Sequence, residues 1–326
     1  MHRAEYAERG PVPQDVIHCV ERPTSAPGAG EVLLELLAAP INPSDVLTLT
    51  GQYGMLPPLP AVGGNEGLAR VAALGDGVTG VAVGDVTLMP VGTGTWTSHA
   101  IAPAAGLMRL PAGGDPLQLA MLTVNPPTAS LLLSEFVLLA PGDWVIQNAA
   151  NSGVGEYVIQ LAKRRGLRSV SVVRRESAVA PLQALGGDVV LVDGPDLAKR
   201  VADATGKAKI RLGLDAVGGS ATDRIAQSVA VGGTVVNYGA LSGEACKIAP
   251  GSFVFRDITL KGFWLAWWFR QATPQAQQAL FGELAGLVLR GELKTRVHRT
   301  YRLAEIKDAV AAAASGGRDG KILLVP

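Results

Sequence analysis

Cysteine is nearly missing from this chain. Cys19 and Cys246 are its only two, far apart and in no metal-ligand pattern. A reduced, cytosolic compartment is the simplest reading. Histidine is as sparse: His2, His18, His99 and His298 are scattered, each in the manner of an ordinary surface or core residue. An excess of one charge is lacking too. With 29 Lys+Arg against 28 Asp+Glu the net charge is +1, which argues against nucleic acid or a membrane surface as a partner. The most membrane-like stretch, residues 117–139, is interrupted by Asn125-Pro126-Pro127 and by Ser134-Glu135. It fails as a spanning helix and reads as core helices. The N-terminus shows neither an apolar signal core nor an Arg/Ser-rich presequence, so a cytoplasmic location is expected. Internal repeats and low-complexity tracts are absent.

What is present is a well-buried globular composition. The 326 residues are 48% hydrophobic and 17% charged, with room for two domains. The most informative stretch runs from Trp144 to Glu176. A first run, Trp144 to Ala150, precedes the small-residue turn Asn151 to Gly155, then a helical run to Gly166 and a second apolar run, Ser169 to Val173. That is one βαβ unit, with its turn where a pyrophosphate would sit. Over the pattern G-x-G-x-x-G the glycine positions fall on Ala150, Ser152 and Gly155, so only the last is Gly. Small residues let the backbone approach phosphates, and the helix N-terminus presents its N–H groups to them. At the end of the second strand, where an NAD site carries Asp or Glu, stand Arg174 and Arg175. Arginine suits a 2′-phosphate, so NADPH is the expected cofactor. The alternative is a ligand-free βαβ unit ending in two solvated arginines.

Residues 1 to about 118 read as β-rich, with strands at 31–39, 67–74 and 85–90 punctuated by Gly and Pro. From 116 to 139 the pattern is helical. After Arg175, helices at 178–185, 197–205 and 221–229 alternate with strands at 189–192, 210–216 and 233–238. This alternation predicts an α/β fold with a doubly wound parallel sheet that binds ligands beyond the carboxyl ends of its strands. The tail reads as a helix from 273 to about 291, a strand near 297, a helix to 314 and a strand over 321–325. Thr234–Asn237 closes the alternation in chain order and is the expected sheet edge, hence a surface for a symmetric homodimer.

Several phrases carry a family resemblance: Ile41-Asn42-Pro43-Ser44-Asp45, Gly51-Gln52-Tyr53-Gly54, Gly63-Gly64-Asn65-Glu66-Gly67, Val124-Asn125-Pro126, Gln147 to Gly155, Val172-Val173-Arg174 and Gly262-Phe263-Trp264-Leu265. In this order they resemble the medium-chain dehydrogenase/reductase superfamily across essentially the whole chain. They are most similar to its mitochondrial-type 2-enoyl thioester reductase branch. The resemblance implies a GroES-like, β-rich catalytic domain over 1–118 and 290–326, and a Rossmann NADPH-binding domain over 119–289. It implies NADPH contacts from Asn125, Asn151, Ser152, Gly153, Val154, Gly155, Arg174, Arg175, Tyr238, Gly239, Ala240, Leu241, Phe263, Trp264, Leu265 and Lys321, and it implies homodimers. Family members carry a further basic residue where this chain has Glu176; Arg175 would replace that charge.

Zinc alcohol dehydrogenases of the superfamily place Cys near position 42 and His in the phrase aligned with Asn65. Here both positions are Asn, and the cysteines of a structural zinc lobe are missing, so no metal is expected. Reduction of a polarised C=C bond requires no Lewis acid. It requires hydride at the β-carbon, donors at the carbonyl and a proton at the α-carbon. Tyr53 lies between Gly51 and Gly54, and a free tyrosine stays protonated at neutral pH. From the residues alone it serves equally well as a packing side chain; the resemblance implies that it is the proton donor. Asn42 either orients the loop or substrate, or caps an Asn-Pro turn. The expected substrate is a trans-2-enoyl thioester, on coenzyme A or on an acyl carrier protein. An NADPH:quinone oxidoreductase of the same superfamily is the competing reading.

Overall fold

Strand Glu31–Ile41 organises the first of two units in a computed structural model that describes every residue from Met1 to Pro326. Its side chains alternate between half-buried and buried, with Val32, Leu34 and Leu36 turned into the core, as a one-faced strand requires. The strand is the hub of a seven-stranded sheet. Leu68–Leu74, His99–Pro103 and Lys321–Val325 all pair with it antiparallel, and Val297–Arg302 runs parallel to Lys321–Val325. A smaller sheet joins His2–Tyr6, His18–Glu21 and Ala61–Val62. This unit comprises Met1–Val124, Phe281–Gly291 and Thr295–Pro326. Its core gathers Tyr6, Ile17, Leu34, Leu36, Leu49, Trp96, Ile306 and Ile322 from across the chain. Trp96 is fully buried and lies against Gly63 and Gly64, where an added Cβ would come within 2.3 and 2.4 Å of its side chain or its neighbour Thr95. The paired glycines are therefore a packing requirement of the Trp96 ring.

The second unit, Asn125–Leu280 with Glu292–Lys294, is built on six parallel strands. Their order is Val189–Val192, Arg168–Val173, Trp144–Gln147, Leu212–Asp215, Thr234–Asn237, Thr259–Gly262. Counted along the chain this is 3-2-1-4-5-6, the doubly wound dinucleotide-binding order, with its switch point between Trp144–Gln147 and Leu212–Asp215. Strands buried on both faces read as continuous apolar runs, which is why 144–147 and 212–215 show no alternation.

Two expectations are corrected here. The helical pattern over 116–139 gives only Pro116–Leu119 and Asn125–Leu132, and the chain is non-helical by Leu138-Leu139-Ala140. Thr234–Asn237 is not the edge: it is paired on one side with Leu212–Asp215 and on the other with Thr259–Gly262. The true edge strand is short and mostly exposed, so no buried run marked it. No helix is long and apolar enough to cross a membrane.

Candidate active site

In the second unit the expected cofactor residues, Asn125 apart, follow the carboxyl ends of the parallel strands in the chain. After Trp144–Gln147 the chain turns through Ala149, at φ +47°, into helix Gly153–Arg164. Ser152 caps that helix by accepting a hydrogen bond from Gly155 N–H at 3.2 Å. A Cβ on Gly155 would stand 2.5 Å from the Ala150 carbonyl oxygen, so glycine is obligatory there. Ala150 and Ser152 have ordinary negative φ, which explains why this turn needs only one of the three glycines. Asn151, Ser152, Gly153 and Val154 are half-buried. Arg174 and Arg175 are exposed immediately after Arg168–Val173. Asn125 is buried at the start of its helix.

The floor of this edge is a buried polar hub that sequence reasoning missed. Asp215, fully buried, accepts hydrogen bonds from Asn148 (2.6 Å), Thr222 (2.7 Å) and Asn237 (2.9 Å), and from the Val217 and Gly218 N–H groups (3.0 and 3.1 Å). Asn148 in turn accepts from Ala216 N–H at 2.8 Å. Burial alone would raise the Asp215 pKa, but the donors from Asn148, Thr222, Asn237 and Gly218 outweigh it and hold the carboxyl below its ordinary value. One anion thus ties three strand ends to the start of helix Gly219–Ser228. The signal was available: an Asp closing the apolar strand Leu212–Asp215 needs partners.

The neighbouring turn carries Tyr238, Gly239, Ala240 and Leu241; the first two are half-buried and the last two exposed. The Tyr238 hydroxyl is buried beside Ser152 with no well-formed hydrogen bond, and burial raises its pKa. Gly239 is packed so that a Cβ would approach the Ala216 carbonyl to 2.8 Å. Phe263 donates its N–H to Asn237 O at 2.8 Å and packs edge-on against Phe136. Trp264 and Leu265 are half-buried, and the Arg270 guanidinium lies 5.8 Å from the Trp264 ring centre. Small-residue turns, a helix N-terminus, exposed arginines and an orphaned buried hydroxyl fit a phosphorylated dinucleotide.

The first unit holds the other expected residues. Helix Pro43–Thr50 begins after Asn42 and ends at Gly51, and Tyr53 follows in the loop, half-buried. Asn42 is 2% exposed. Its amide donates to Glu66 Oε1 at 2.6 Å, and its carbonyl oxygen accepts from Lys321 Nζ. Lys321, also buried, donates further to Ile41 O at 3.2 Å. Asp45 accepts from Asn42 N–H at 2.7 Å and from Asn65 at 2.6 Å; Glu66 accepts from Val124 N–H at 2.9 Å. Asn42 and Lys321, singled out separately, are therefore brought together, and Asp45 and Glu66 are added. Burial pushes the Asp45 pKa up to about 6 and raises that of Glu66, while burial lowers that of Lys321 against the pull of both carboxylates. Two buried carboxylates share one ammonium, so the cluster retains a proton above the ordinary carboxyl range. This donor set does not suit zinc: Asn42 and Asn65 aim their amide N–H groups at carboxylates, and no thiolate or imidazole joins them.

Comparison with known proteins gives matches over both units. Residues 28–112 match the alcohol dehydrogenase GroES-like domain and residues 153–281 the zinc-binding dehydrogenase family. The chain is 37% identical to the human mitochondrial enoyl-[acyl-carrier-protein] reductase over 310 residues, 92% of this chain and 82% of that protein. Among solved structures, the complex of Etr1p with NADP and crotonyl-CoA superposes with a TM-score of 0.88 at 26% identity, covering 100% of this chain and 99% of that one. A mycobacterial quinone oxidoreductase does so with a TM-score of 0.84 at 28% identity, covering 100% of both.

Proposed function

The chain belongs to the medium-chain dehydrogenase/reductase superfamily, and on that premise we propose that it reduces the C=C bond of trans-2-enoyl thioesters with NADPH, without zinc. The observation that carries this reading is the match of nine-tenths of the chain to an enoyl-[acyl-carrier-protein] reductase, joined to a cofactor edge ending in Arg174 and Arg175. When bound, NADPH supplies a hydride to the β-carbon of the substrate. The amides at the start of helix Gly153–Arg164, capped by Ser152, bind the pyrophosphate. Arg174 and Arg175 bind the 2′-phosphate through their guanidinium forks. Asn125, Tyr238 to Leu241, Phe263 to Leu265 and Lys321 complete the cofactor contacts. The domain roles follow: residues 1–118 and 290–326 supply catalysis, and 119–289 supply cofactor binding.

The Tyr53 hydroxyl delivers the proton to the α-carbon as charge develops on the thioester oxygen. Asn42 holds the start of the helix that leads into the Tyr53 loop. The thioester rides on coenzyme A or an acyl carrier protein, the enzyme works as a homodimer, and it is cytoplasmic. A quinone is the competing acceptor, favoured by the full-length likeness to the mycobacterial quinone oxidoreductase.

The test is an assay of NADPH oxidation with crotonyl-CoA and, separately, with a quinone, on the parent and on Tyr53→Phe. The substitution keeps the ring and removes the proton. We expect kcat on crotonyl-CoA to fall roughly 10²–10⁴-fold with NADPH affinity unchanged. Quinone turnover, which takes its proton from water at an exposed oxygen, should fall much less. Parent-level reduction of crotonyl-CoA by Tyr53→Phe would remove Tyr53 from the mechanism. Activity on quinones alone would transfer the assignment to quinone reduction.

A further inference from the structure

The loop that carries Tyr53 is short of backbone donors. Helix Pro43–Thr50 stops at Gly51, φ +78°, and Gln52 N–H returns to Leu47 O at 2.8 Å. Beyond it Pro57, Pro58 and Pro60 have no N–H to offer, and Gln52, Gly54, Met55 and Leu56 are exposed. Backbone attachment on this side therefore falls to carbonyl groups.

One side chain from a distant part of the sequence reaches both ends of the loop. The stem of Arg9 lies against Gly51: a Cβ there would sit 3.4 Å from Arg9 Cδ. The guanidinium of the same residue donates through Nη2 to the Pro57 carbonyl. Its surroundings are built to hold it. It stands beside the hydroxyl of Tyr6, a core residue only 2% exposed. The adjoining Gly10 N–H donates to Leu49 O at 3.2 Å, tying the same segment to the end of the helix. Arg9 Nε is buried with no acceptor, so the fork is oriented by Pro57 and Tyr6 at the expense of its own satisfaction. A planar, five-donor group suits such a brace better than the flexible ammonium of lysine.

We propose that Arg9 is the positioning residue of Tyr53, clamping Gly51 and Pro57 so that the hydroxyl between them is held for proton delivery. The proposal rests on the proposed role of Tyr53. A misplacement of about 1 Å at a reacting group costs on the order of a hundredfold in rate. A loosened loop therefore acts on kcat while leaving the cofactor edge of the second unit intact.

The experiment compares parent, Arg9→Met and Arg9→Lys for hydrogen exchange of peptides spanning residues 51–60, for kcat and KM on crotonyl-CoA, and for NADPH affinity. Arg9→Met should speed exchange in that loop and lower kcat by roughly tenfold to a hundredfold, with NADPH affinity unchanged. Arg9→Lys, which keeps a donor but loses the fork, should fall between, and it serves as the test if Arg9→Met does not fold. Added guanidinium ion should recover part of the Arg9→Met loss. Unchanged loop exchange overturns the brace. A loosened loop with parental kcat overturns the positioning role, and a parallel loss of kcat and NADPH affinity reduces Arg9 to a structural residue. The exchange measurement stands apart from the reading beneath it: parental activity of Tyr53→Phe removes that reading whether or not Arg9 braces the loop.

Discussion

At the scale of single residues, charge placement makes two predictions. Arg174 and Arg175 stand exposed at the end of their strand, and we propose that they receive the 2′-phosphate. A hydrogen bond to a charged group contributes roughly 1.5–3 kcal/mol, so losing one weakens binding about tenfold to a hundredfold. Replacing both with Ala should weaken NADPH by at least that much and leave NADH nearly unchanged in a titration; equal losses would make the arginines structural. Asp45 makes a second prediction. Its carboxyl, ordinarily at 3.8, is pushed up to about 6 by burial, with the Asn42 N–H, Lys321 and Asn65 opposing. A raised acid pKa means that the fold prefers the protonated form. The associated stability is complete below the unfolded value and is lost as pH rises through about 6. Glu66 acts in the same direction, and Lys321, lowered by burial, loses stability as pH falls instead. Asp45→Asn cannot ionise, so its Tm relative to the parent should improve between about pH 4 and about pH 6 and level off above. A pH-independent difference in thermal melts would show that Asp45 titrates normally.

At the scale of elements, the consequential finding is strand Thr259–Gly262, which displaces Thr234–Asn237 from the edge of the parallel sheet. Its outer side has no strand partner, and helix Pro250–Arg256 just before it exposes Phe253, Val254 and Phe255 at 44, 71 and 84%. Three consecutive exposed apolar residues just before an open edge strand make a candidate pairing surface. With a symmetric pair the commonest closed assembly, we propose this face as the seam of a homodimer. Phe253→Glu/Phe255→Glu should convert a dimer to a folded monomer by light scattering at micromolar concentration. A parent already monomeric, or a double variant still dimeric, would defeat the assignment. Chain order pointed to the wrong strand because a four-residue, mostly exposed strand leaves almost no hydrophobic pattern to read.

At the scale of the whole molecule, two units are built by two different logics: a mainly antiparallel, GroES-like unit and a parallel dinucleotide-binding unit. Mass action then predicts a stability effect. A ligand that binds only the folded form at a hundred times its Kd stabilises by about 2.7 kcal/mol. NADPH should therefore raise the Tm, and NADH at the same concentration should raise it less. An equal shift from both would contradict the 2′-phosphate assignment, and no shift from either would contradict the cofactor site.

Local pattern was enough for much of this protein. The βαβ unit, the strand–helix alternation from Arg168 to Asn237, and the last helix and strand all lie within a few residues of where their periodicity put them, because period and capping are properties of neighbouring residues. The arginines at a strand end were visible for the same reason. The clusters were not. Lys321 meets Asn42 across 279 residues, Asn148 meets Asp215 across 67, and Arg9 meets Pro57 across 48. Each contact depends on which strands and loops become neighbours, and nothing in a single sequence window encodes that. A buried carboxylate such as Glu66 or Asp215 is tolerable only where folding delivers its donors. Its identity was written in the chain, but its environment, and so its charge, came from the fold.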